Sequence, residues 1–66
     1  MNPTTAARLS TYQSQNLTEE TFDNLTIKQM LVFYNDVAIH NEYPVIKSGS
    51  RKTVSTKLIT LILLVK

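Results

Sequence analysis

The sequence predicts an all-α fold: one small helical domain, with a short N-terminal helix and two longer helices joined by an extended basic connector. Three observations predict it. Ile27, Met30, Leu31, Tyr34, Val37 and Ala38 recur at i, i+3, i+4, i+7, i+10 and i+11, which is a helical period. Val54, Leu58, Leu61, Ile62 and Val65 repeat at i, i+4, i+7, i+8 and i+11. A single glycine in 66 residues suits compact helices better than a turn-rich β fold.

Residues 1–15 are polar, with Pro3 near the start, and read as a flexible N-terminal arm. Ala6, Ala7, Leu9 and Tyr12 could equally form a weak helix face there. The domain proper is expected over residues 16–66. In "NLTEETFDNL", Thr18 stands before Glu19 and Glu20 as an N-cap with acids in the first turn, where they meet the positive end of the helix dipole. A short helix follows, with Leu17, Phe22 and Leu25 inward. "TIKQ" has the form of a capping box, Gln29 reaching back to the Thr26 backbone at the start of the clearest helix. Phe33 widens the apolar stripe of that helix on one flank and is expected to remain exposed.

"HNEYP" stops this helix. Asn41 takes a C-terminal position, Pro44 disfavours helix at Tyr43, and His40 sits in the last turn, where a cation is favoured. "PVIKSGS" reads as extended, with Val45 and Ile46 plugging into the core and a turn at Gly49, the residue freest to adopt positive φ. A further helix begins near Arg51. Its C-terminal run "LITLILLV" is β-branched enough to read as a strand as well, so both states stay open over residues 58–65.

Several function classes are excluded. Without cysteine and with one histidine, the chain has no disulfide framework, thiolate metal site or histidine metal cluster. No cofactor or metal is expected. "SGSRKT" lacks the spacing of a Walker phosphate loop, and Glu19 and Glu20, being adjacent, point about 100° apart on a helix. The chain reads as non-enzymatic. "LITLILLV" is far shorter than the roughly 20 residues that cross a bilayer, and the N-terminus lacks the apolar core of a secretory signal. A soluble protein of the cytoplasm, of a bacterium or of an infected host cell, is expected. The "NLT" triplets at Asn16 and Asn24 match a glycosylation acceptor pattern, which means little without secretion.

Charge is distributed unevenly. Through Glu42 there are five acids (Glu19, Glu20, Asp23, Asp36, Glu42) against Arg8 and Lys28, a formal −3. Beyond it stand only bases, Lys47, Arg51, Lys52, Lys57 and Lys66, a formal +5. Such asymmetry points to an anionic partner or to complementarity within the molecule or a dimer. The candidate anion site is the start of the last helix, whose free N–H groups are joined by the hydroxyls of Ser48, Ser50 and Thr53 and the cations of Lys47, Arg51, Lys52 and Lys57. These groups hold nucleic-acid backbones. The simpler reading is that Ser50 caps the helix and the bases are solvated.

Leu25-Thr26, a basic turn carrying Gly49, and Leu58-Ile59 together resemble the helix–extension–helix layout of SAP-type DNA-binding domains, with a longer stretch between Gly49 and Leu58. Tyr34-Asn35, Pro44-Val45, Arg51, Thr53 and Lys57-Leu58 are similar to a pattern in small helical proteins of phages and their bacterial hosts, which often have an aromatic residue in place of Ser48. The first resemblance implies a DNA-binding module, the second a phage origin. The leading expectation is a nucleic-acid-binding or regulatory module that contacts backbone phosphates through residues 47–57. The alternative is a small interaction factor that binds and modulates a host protein through the apolar side chains Phe33, Ile59, Leu63 and Leu64. The surplus of Ile59, Leu63 and Leu64 also predicts a homodimer or larger oligomer.

Overall fold

Phe22, Met30, Phe33, Val37, Val54, Leu58 and Ile62 lose essentially all contact with solvent and form the centre of one core. Burial of each of the larger side chains is worth about 1.5–3 kcal/mol, a large share of what holds so small a chain together. A computed structural model describes residues 1–66. Three α-helices, α1 (Pro3–Gln13), α2 (Ile27–His40) and α3 (Arg51–Leu64), and a 3-10 turn (Glu19–Phe22) surround that core. There is no strand, so the protein is all-α, and the run over residues 58–64 is helical. The most extensive helix–helix contact is between α2 and α3, joined by the extended connector.

The N-terminal segment departs from the expected arm. Pro3–Gln13 is a helix, with the Asn2 side chain accepting from Thr4 N–H and Pro3 in its first turn, where its missing N–H is harmless. Tyr12 anchors it: the ring packs edge-on against Phe22 and Phe33, with centroids 5.2 and 5.6 Å away. Asp36 of α2 holds the other end, accepting from Asn2 N–H at 3.1 Å. The Thr5 hydroxyl, assisted by that N–H and against the cost of burial, holds the Asp36 carboxyl below its usual range.

The docking of α1 also corrects the placement of Phe33. Its ring is 1% exposed, because Tyr12 covers the flank of α2 that the sequence leaves open. The buried face of α2 is Met30, Phe33, Val37 and Ala38, while Ile27 at the edge of the expected stripe turns outward. The capping box forms as expected: Thr26 N–H donates to Gln29 Oε1 at 2.8 Å, and Gln29 N–H donates to Thr26 Oγ1 at 3.0 Å.

Asn41 ends α2, and its side-chain amide donates to Val37 O at 2.8 Å. Glu42 N–H donates to Ile39 O and Tyr43 N–H to Ala38 O, the two bonds of a Schellman motif. The residue that must turn left-handed is therefore Glu42, with φ 62°, and not Gly49, whose φ is negative. Gly49 serves a close approach instead: a Cβ there would lie 3.1 Å from Val54 Cγ2. Downstream, Asn35 clamps the connector, accepting from Ile46 N–H at 2.9 Å and donating to Ile46 O at 2.8 Å. That bidentate grip seats Ile46 against the core, whereas Val45 stays 45% exposed.

Candidate functional site: the basic connector and the groove beside it

Ser50 caps α3, its hydroxyl accepting from Thr53 N–H at 3.2 Å and donating to Thr53 Oγ1 at 3.0 Å. Both hydroxyls are thereby used in part by the helix start itself. Lys47, Ser48, Lys52, Thr53 and Lys57 are exposed.

Arg51 is placed differently from the expected phosphate ligand. Its guanidinium turns inward, donating through Nη2 to Leu25 O at 2.6 Å and through Nη1 to Phe22 O at 3.3 Å, with Met30 Sδ 3.4 Å from Nη1. The carbonyls at the end of the 3-10 turn have few backbone donors left, and the fork of arginine reaches two of them at once. This arginine joins the first residue of α3 to the segment that leads into α2. It is a structural tie.

Lys52 sits beside that tie, in a shallow depression of about 330 Å³ lined by Glu19, Glu20, Asp23, Arg51 and Ser55. Acids in and just after the 3-10 turn and bases at the start of α3 thus line one depression. Lys57 lies five residues after Lys52, about 140° around the helix axis. Lys52 and Lys57 therefore lie on different faces of α3.

Lys57 lies on a second depression, a groove of about 260 Å³ between α3 and the segment after α2. Tyr34, Tyr43, Pro44, Leu61 and Leu64 supply its apolar lining, with Thr56 and Thr60 along one edge. The hydroxyls of Thr56 and Thr60 donate to the carbonyls of Lys52 and Thr56 at 3.0 and 3.1 Å. With those protons committed to the helix, the two residues add little polar demand to the groove. No acidic side chain lines it.

Of the apolar residues expected at an interface, Leu63 and Leu64 are 59% and 61% exposed, Ile59 is half-buried against the core, and Phe33 is internal. Sequence reasoning missed Tyr43, Pro44, Thr56 and Thr60. The signal was present in part, since Thr53, Lys57, Thr60 and Leu64 follow a helical period on one face. What brings Tyr43 and Pro44 to that face is the left-handed Glu42, which has no sequence signature. No helix is long and apolar enough to cross a membrane. The chain matches no protein-family model, and no curated protein or solved structure shows detectable similarity to it.

Proposed function

We propose that the protein is a non-enzymatic interaction module that docks an acidic segment of a partner protein in the groove formed by Tyr34, Tyr43, Pro44, Leu61 and Leu64. One observation carries this reading: an apolar groove without acids opens on the part of the chain in which every charged side chain is basic. An apolar anchor of the partner fills the groove, and Lys57 at its edge meets a carboxylate beside that anchor. Leu63 and Leu64 extend the contact.

A second reading is favoured by the exposure of Lys47, Ser48, Lys52 and Thr53 around the start of α3. In it, the connector contacts nucleic-acid phosphates without base readout, and Lys57 takes part from its own face of the helix. It ranks second because Arg51 already serves Phe22 and Leu25 and Lys52 lines one depression with Glu19, Glu20 and Asp23.

Affinity capture with and without nuclease separates the two. The first reading expects a protein partner that survives nuclease and is lost with Leu64→Glu, a change at an exposed helix end. Loss on nuclease treatment, together with unchanged capture by Leu64→Glu, supports the phosphate reading. Sedimentation of the protein alone detects a second copy as the occupant.

A further inference from the structure

The largest depression of the molecule runs along α1 and shares no lining residue with either surface described above. About 690 Å³ in volume, it is lined by Thr4, Arg8, Thr11 and Gln15 of α1 and its end, by Tyr12, and by Thr21 and Asn24 across the groove. Its lining contains one cation and no acid.

Tyr12 is 8% exposed, and no fully buried side-chain polar atom in the chain lacks a partner. No protein group hydrogen-bonds the Tyr12 hydroxyl, so its hydroxyl lies on the open side of the ring, where the groove is. A tyrosine packed edge-on against Phe22 and Phe33 is held in place, and its phenol is a solvent-accessible donor without a protein partner. Thr21 Oγ1 accepts from Thr18 N–H at 2.9 Å, which leaves the Thr21 hydroxyl proton free to donate. Asn24 and Gln15 add amides at the rim.

We propose that this groove binds a small anionic, hydroxyl-bearing molecule, with its phosphate or carboxylate head on Arg8 and its neighbouring oxygens on Tyr12, Thr21 and Asn24. Arg8 supplies a fork that matches either oxyanion head, and the fixed phenol adds a donor that loses little freedom on binding. The site is separate from the apolar groove on α3, and either can fail without the other.

The test is an amide-resolved NMR titration of the full chain with ribose 5-phosphate, gluconate and, as the neutral control, ribose. One anion or both should give saturable shifts at Arg8, Tyr12, Thr21 and Asn24 with a dissociation constant below about 10 mM, and ribose should give none. Whichever anion saturates identifies the head group. Arg8→Gln should weaken binding by about tenfold or more, and Tyr12→Phe, which keeps the packed ring, by several-fold. Absence of saturation with both anions, equal shifts with ribose, or unchanged affinity in either variant overturns the proposal.

Discussion

Replacing Arg51 by alanine should destabilise the protein far more than replacing its neighbour Lys52. The guanidinium makes two charge-assisted hydrogen bonds to carbonyls, at 2.6 Å to Leu25 and 3.3 Å to Phe22. Phe22 O also accepts from Leu25 N–H at 2.9 Å and stays satisfied without the arginine, whereas Leu25 O depends on it. One short charged bond is worth about 1.5–3 kcal/mol, and the longer, shared one adds less, so the expected loss is about 2–3 kcal/mol. For a domain of this size, that lowers the midpoint of thermal unfolding by roughly 10–20 °C. Lys52, exposed and screened, should cost less than about 0.5 kcal/mol. Arg51→Lys should recover only part of the loss, because a point charge cannot fork to both carbonyls. Urea unfolding of the three variants provides the measurement. Equal, small effects of Arg51→Ala and Lys52→Ala would refute the structural role of Arg51.

Asn35→Ala should cost about 1–3 kcal/mol, since it removes both hydrogen bonds that hold Ile46, and hydrogen exchange at residues 45–48 should accelerate more than exchange within α2. Glu42→Gly should raise stability by about 1 kcal/mol by relieving the left-handed conformation at φ 62°; a loss on equilibrium unfolding would show that the Schellman turn carries no strain. Asp36 has a lowered pKa in the folded state, so its contribution is complete above the usual value of 3.8 and is lost as pH falls through the lowered one. The stability difference between the parent and Asp36→Asn should therefore shrink in acid, and a pH-independent difference from pH 7 to 2 argues against the Asp36 contact with Thr5 and Asn2.

The interior of the two long helices was legible because periodic burial and capping leave local marks. Val54, Leu58, Leu61 and Ile62 are buried as their spacing predicts, and Thr26 and Gln29 form the box that "TIKQ" encodes. The helix α1 was not legible, because its attachment rests on one aromatic ring, a buried threonine and a contact from Asp36 on another helix. That same long-range contact moves Phe33 from the surface to the core. The basic connector was legible as charge but not as geometry. Nothing in the local sequence tells an arginine that forks onto Leu25, 26 residues earlier, from one that faces solvent. The groove depends likewise on a glutamate in a conformation that glycine usually takes, which brings Tyr43 and Pro44 beside Leu64.

Site-specific photo-crosslinking distinguishes most directly between recruitment of a protein at the exposed end of α3, with Arg51 serving the fold, and phosphate binding by the connector. A photoreactive side chain is placed in turn at Leu64 and at Lys47, both exposed positions. Position 64 should give a nuclease-resistant protein adduct whose cross-linked peptide is acidic, and that adduct should disappear when Lys57→Glu is added. Position 47 should give no comparable adduct. Nucleic-acid adducts from position 47, with none to protein from position 64, would contradict the account.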